Sequence, residues 1–392
     1  MSAPPSASLP RQPGLDGLRA IAILLVLLFH LTPGHNANQG VRSAVFKLAE
    51  IGWSGVDLFF VLSGFLITAI LLRAKARSLP LRDFLAARVL RIAPAYYLAL
   101  AIVFVAYPLA TGAFVVDPVT QASFWLYVRN FTMNHPSPGG DAPFGLDHFW
   151  SLCIEMQFYL LWPVLVYRFA RPTLVRIALA AIVLAFAGRT AAVLSGADWP
   201  VTYAWTPFRV DALLAGALVA IAYDSGVRLR RRAVAAALVA GLGVMLGCAW
   251  FGVGQAVLKG PGNGELRLWL RIVLPVAVAV GYGALLWLSL QPGPLARSLS
   301  HRGWRPLARY SYGIYIFHFL LLPFYAWAFG PARLREWVGD GDAPVYLFFA
   351  LASGVSFLVA MVSYHGFEVH FLRMKHREPA QTGLAPVQRP AP

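Results

Sequence analysis

Apolar runs of about twenty residues, separated by short polar or basic connections, recur along the whole chain. The first covers 15–32. Others lie near 51–72, 93–110, 148–167, 174–194, 206–223, 233–251, 269–290, 310–329 and 344–366. At about 1.5 Å per residue, a helix of this length matches a hydrocarbon layer about 30 Å thick. The pattern therefore predicts an all-α integral membrane protein, a bundle of about ten transmembrane helices. The tail 1–14, rich in Pro and Ser, and the basic, Pro-containing tail 373–392 are expected to be disordered, leaving 15–372 as the transmembrane domain. Little positive charge precedes the first run and no small-residue cleavage site follows it, so that run is expected to be an uncleaved span. No internal repeat and no separate soluble domain are visible.

Composition agrees. The chain has 392 residues, of which 58% are hydrophobic and only 13% charged. Its net charge of +16 raises nucleic acid as a partner. The basic residues, however, punctuate the apolar runs and form no contiguous face. The positive-inside bias accounts for them, and no nucleic acid is expected. With the N-terminus in the cytoplasm, 22 Lys and Arg residues fall on that side and 8 on the other, with Arg19, Arg189 and Arg209 inside spans. Both termini are thus expected to be cytoplasmic, in a multi-pass protein of the cytoplasmic (inner) membrane. Cys153 and Cys248 each lie within an apolar run. They form no disulfide framework and no metal-ligand spacing, so no metal is expected.

Ionisable side chains inside such runs are expensive and are treated as candidates for function. The first run carries Asp16, Arg19 and His30. Arg19 and His30, eleven residues apart, fall about 20° from each other on a helix and about 16 Å apart along its axis. One helix thus offers a permanent cation near its start and a titratable imidazole at its far end. The plainer alternative is an Arg that snorkels to one interface and a His at the other. Asp57 is the charge in GVDLFFVLSGFLI; it either ends its span at the interface or orients a neighbouring His or Arg. Arg88 and Arg91 share a helical face, where two guanidiniums suit phosphate groups as well as ordinary positive-inside charge. In DHFWSLCIEMQFYLLWP, residues Ser151, Glu155, Tyr159 and Trp162 follow helical spacing on one face, and Glu155 needs a partner such as His30 or an Arg. Arg209 and Asp211 are candidates for a structural pair. His318, on the polar aromatic face of SYGIYIFHF, is expected to hydrogen-bond inside the bundle.

As a set, these residues resemble the membrane-bound acyltransferase 3 family. The likeness rests on Arg19 and His30 as an R-x10-H motif, on GVDLFFVLSGFLI, and on Arg88 and Arg91 as R-x-x-R. It extends to HFWSLCIEMQFYLLWP, SYGIYIFHF and Glu368, and covers about 15–372. Two departures stand out. The fourth-span motif often has two consecutive acids, and here Met156 takes the second place. Val369 and His370 follow Glu368, where the family usually has Pro. The resemblance implies an integral membrane O-acyltransferase that modifies extracytoplasmic glycans. Because no fused hydrolase-like domain follows the tenth run, as it does in some relatives, it also implies a stand-alone acyltransferase that either acts unaided or borrows a partner.

Acyl transfer to a hydroxyl needs a base and groups that stabilise an oxyanion. His30 is the expected base, since an unperturbed imidazole titrates near pH 6.5. Glu155 or Asp57 is expected to hold its other nitrogen, and Arg19 to complete the catalytic set. A cytoplasmic acyl-CoA donor, acetyl-CoA first among them, would rest its phosphates on Arg88 and Arg91 and pass its pantetheine arm along Arg19 towards His30. Transfer is either direct or through an acyl-His. The acceptor would be a carbohydrate or lipid-linked glycan. The competing reading is a proton-coupled transporter or flippase, with Arg19, His30 and Glu155 as a relay. The lack of an inverted repeat weighs against it.

Overall fold

Lipid offers no hydrogen-bond partner to backbone N–H and C=O groups, so a chain this apolar must close its own bonds. The computed structural model describes residues 12–32, 49–112, 116–133, 145–250 and 265–374, and among these it contains helices and no strand. The expected tails lie almost wholly outside the described residues. So does most of the polar connections 33–50 and 252–268. The connection 111–147, where described, holds two short helices, Pro118–Trp125 and Arg129–Thr132.

The helices follow the apolar runs. They are α1 Pro13–His30, α2 Gly55–Ala76, α3 Leu81–Ala101, α4 Trp150–Arg168 and α5 Arg171–Leu194. Then come α6 Thr206–Asp224, α7 Arg231–Trp250, α8 Glu265–Ser289, α9 Trp304–Leu320 and α10 Ala343–Ser363. Two π-helical turns, Ile102–Ala106 and Tyr364–Glu368, carry α3 and α10 onwards.

Among the described residues, eight helices are long and apolar enough to cross a membrane. The pair Trp304–Leu320 and Leu322–Val338, bent by 65°, makes a ninth if it is one span. The break has a local cause: Pro323, in the first turn of the second piece, has no N–H to give the carbonyl of Phe319, and its ring would clash with that carbonyl in a continuous helix. The remaining run of the predicted ten is α1, 18 residues and so about 27 Å long.

α1 packs against α2 and α9 at the centre of the bundle. α2 is buried along most of its length, and its main partner is α6. Their approach depends on two glycines. A Cβ on Gly64 would lie 1.8 Å from the carbonyl oxygen of Leu213, and one on Gly216 would lie 1.9 Å from that of Val61. Small residues let backbones meet where dispersion, rather than the hydrophobic effect, holds helices together. The basic end of α2 is tied to α4: Lys75 Nζ donates to the carbonyls of Val166 at 2.8 Å and Phe169 at 2.7 Å. These are terminal carbonyls of α4, so a cation completes them.

Candidate active site

Five helices converge on one cavity, with about 770 Å³ of non-atom space including its open mouth. Arg19 reaches it from α1, Phe59 and Ser63 from α2, and Arg88 and Arg91 from α3. Ser151, Glu155 and Tyr159 line it from α4, and Ser311, Tyr312 and Tyr315 from α9. The three residues of α4 are spaced by four, so they stack on one face. Arg88 and Arg91, three apart, do the same on α3.

The electrostatics of this space follow from its partners. Glu155 accepts a hydrogen bond from the hydroxyl of Ser63 at 2.6 Å, and Tyr159 donates to that hydroxyl at 3.0 Å. Arg19, Arg88 and Arg91 form no ion pair with a described residue; Arg88 leans on the ring of Phe84, 5.4 Å from its centroid. Three guanidiniums thus face one carboxylate, and the cavity is cationic. Such a site suits a ligand that carries several negative charges.

His30 stands at the far end of α1 and is not among the residues that line the cavity. Its Nδ1 lies 3.1 Å from Nε2 of His318, and the ring of Phe319 lies 4.8 Å away by centroid. His318 is fully buried. Beside it, His148 Nε2 lies 2.9 Å from the carbonyl oxygen of Tyr315. The hydroxyl of Tyr315 is 2.5 Å from that of Ser151 and donates to the carbonyl of His148 at 2.9 Å. Tyr315 therefore links the two regions. Its side chain lines the cavity while its backbone oxygen anchors the histidines.

Several expected contacts are replaced by others. Neither Glu155 nor Asp57 orients His30. Glu155 is held by Ser63 in the cavity, and Asp57 is paired with Arg209 at 2.6 Å, both side chains sealed from solvent. A buried carboxylate requires a cation, and α6 supplies one directly opposite. Arg209 and Asp211 do not pair with each other, because residues two apart on a helix point to different sides. Asp211 takes Arg189 of α5 instead, at 2.9 Å. Trp162 departs from the cavity face, and its indole N–H donates to Thr68 at 2.8 Å. Glu368 is buried, accepts from Ser363 at 3.2 Å, and sits so close to α9 that a Cβ on Gly313 would lie 3.4 Å from its Oε1.

The grouping of His30, His148 and His318 was not anticipated. A signal for part of it exists: Ser311, Tyr315 and His318 follow one helical face at i, i+4 and i+7.

A helical membrane bundle that gathers a cationic cavity and a cluster of imidazoles defines the class. The profile of the acyltransferase domain family (acyltransferase 3) matches residues 12–365, and the chain belongs to that family. It is 29% identical over 378 residues to YrhL of Bacillus subtilis, provisionally named a peptidoglycan O-acetyltransferase; the match covers 91% of this chain and 54% of YrhL. It is 32% identical over 225 residues to the peptidoglycan O-acetyltransferase OatA of Listeria monocytogenes, over 54% of this chain and 34% of that protein. To the O-acetyltransferase OatA of Staphylococcus aureus it is 24% identical over 370 residues, 91% of this chain and 56% of the other. The chain thus spans about half the length, or less, of these relatives. No solved structure matches it.

Proposed function

We propose that the protein is an integral membrane O-acetyltransferase, which takes an acetyl group from cytoplasmic acetyl-CoA and esterifies a hydroxyl of a glycan on the outer side of the cell membrane. Family membership supports the reaction class. The names of the relatives favour peptidoglycan as the acceptor. The observation that carries the donor assignment is the convergence of Arg19, Arg88 and Arg91 on one cavity, where none of them forms an ion pair with a described residue. Guanidiniums suit the phosphates of a nucleotide thioester, and the slender arm of such a donor would run along the cavity towards the histidines.

In this reading both termini are cytoplasmic, as the distribution of Lys and Arg favours. His30 removes the proton from the acceptor hydroxyl. The oxygen attacks the thioester carbonyl, the C–O bond forms, the C–S bond breaks, and the thiolate recovers the proton. Arg19 and Glu155 organise the donor end. A prior acyl-His is a variant of the same scheme.

The test uses the full chain in membrane vesicles supplied with radiolabelled acetyl-CoA and peptidoglycan fragments. Label should enter an alkali-labile ester. His30→Ala should lose about 100- to 10,000-fold in turnover while remaining folded, as expected for a general base. Near-normal turnover of His30→Ala would sink the assignment. Movement of an unmodified solute, without ester formation, would instead establish a transporter.

A further inference from the structure

The imidazole of His30 does not stand alone, and the hydrogen bonds behind it fix where its proton sits. Nδ1 of His318 lies 3.1 Å from the carbonyl oxygen of Ile314 and 2.8 Å from that of Tyr315. Carbonyl oxygens only accept, so this nitrogen carries a hydrogen and donates. The ring is fully buried, and the partners of its two nitrogens are two carbonyls and another imidazole. A buried cation without a carboxylate is costly, so His318 is neutral and its Nε2 is bare. That bare nitrogen lies 3.1 Å from Nδ1 of His30 and must accept.

We propose that His318 is the positioning residue of His30: its Nε2 accepts from Nδ1–H of His30 and so leaves the lone pair of His30 on Nε2, the atom that takes the acceptor's proton. The last clause rests on the reading of His30 as the base. The tautomer assignment does not.

This arrangement reverses the preference of a free neutral imidazole, which in water carries its hydrogen mainly on Nε2. His148 reinforces it. Its Nε2 lies 2.9 Å from the same carbonyl oxygen of Tyr315, so that one oxygen receives both rings and fixes the direction of His318. An orienting partner commonly sets the tautomer of a catalytic imidazole, and a carboxylate is the familiar choice. Here the partner is neutral. When His30 gains a proton on Nε2, its Nδ1–H remains donated to His318, so the ring keeps its direction through the proton transfer.

The experiment is ¹⁵N NMR of the full chain, labelled at its nine histidines and held in detergent micelles. The His30 signals are assigned by their loss in His30→Gln. At a pH where His30 is neutral, its Nδ1 should show the protonated shift and its Nε2 the unprotonated one. His318→Phe should move His30 towards the Nε2–H form. His318→Gln, whose amide oxygen reaches the place of Nε2, should restore the original form. A companion assay with acetyl-CoA should show kcat about 10- to 100-fold lower in His318→Phe, an unchanged KM for acetyl-CoA, and recovery in His318→Gln.

A His30 found with its hydrogen on Nε2 in the unsubstituted protein overturns the proposal. So does a tautomer that His318→Phe leaves unaltered, or equal loss of activity in the Phe and Gln variants. If His318→Phe does not fold, the tautomer of the unsubstituted protein decides alone. The spectrum needs no acyl transfer. An active His30→Ala would therefore refute His30 as the base and leave the tautomer assignment of the unsubstituted protein standing.

Discussion

Asp57 and Arg209 meet at 2.6 Å across the interface of α2 and α6, and neither side chain reaches solvent. The guanidinium is also flanked by the rings of Tyr203 and Trp150, at 4.9 and 5.9 Å from their centroids. Removing one partner strands a buried charge, which costs about 3–5 kcal/mol. Asp57→Ala and Arg209→Ala should each lower the thermal midpoint of detergent-solubilised protein by that equivalent. The double variant should lose far less than the sum. Activity per folded molecule should survive in whatever Asp57→Ala remains folded. A stable but inactive Asp57→Ala would return Asp57 to the chemistry.

Arg88 and Arg91 face the cavity from one turn of α3. If they hold phosphates, each contributes a charge-assisted bond of about 1.5–3 kcal/mol. Arg88→Ala and Arg91→Ala should each raise KM for acetyl-CoA about 10- to 100-fold with little change in kcat. Lysine at either position should recover only part, since it lacks the planar fork. Steady-state kinetics at fixed ionic strength decides. A fall in kcat at constant KM would contradict the phosphate role.

Gly64 and Gly216 are the contact points of α2 and α6. An added methyl would collide with backbone rather than with a flexible side chain, so the helices must separate. Gly64→Ala and Gly216→Ala should each cost about 1–3 kcal/mol or more and reduce the yield of monodisperse protein on size exclusion. Gly243→Ala is the control. A Cβ there meets nothing within 4 Å, and the variant should behave as the parent does.

Lys75 closes the C-terminal carbonyls of α4. Lys75→Met keeps the aliphatic stem and deletes the cation. It should lower stability by about 1–3 kcal/mol, measured by thermal unfolding in the same detergent. Kinetic constants of the folded fraction should stay near those of the parent.

The long apolar runs and their basic punctuation carry the fold almost completely, because span length and the avoidance of charge in lipid are one-dimensional constraints. The basic pair of α3 and the face formed by Ser151, Glu155 and Tyr159 were equally legible, since helical spacing alone brings them into line. Partner choice was not. Asp57, Glu155 and Asp211 each had several cations within plausible reach along the chain. Asp57 took Arg209, Asp211 took Arg189 and Glu155 took a hydroxyl instead, an outcome set by how α2, α4, α5 and α6 pack, which no spacing within one helix encodes. The same limit hid the contact of His30 with His318, residues of the first and ninth helices joined only by tertiary packing.

Glu368 closes the π-helical turn Tyr364–Glu368. Such a turn accommodates one more residue than an α-turn. The turn absorbs that residue, so the faces before and after it stay in the register of a continuous α-helix. Deleting Gly366, where a Cβ would meet nothing within 4 Å, would let ordinary winding resume and leave the carboxylate of Glu368 beside Gly313. The stretch is thus a reserve of length: this deletion should reduce the yield of monodisperse protein far less than a one-residue deletion in the middle of α9, which would rotate everything after it by about 100°.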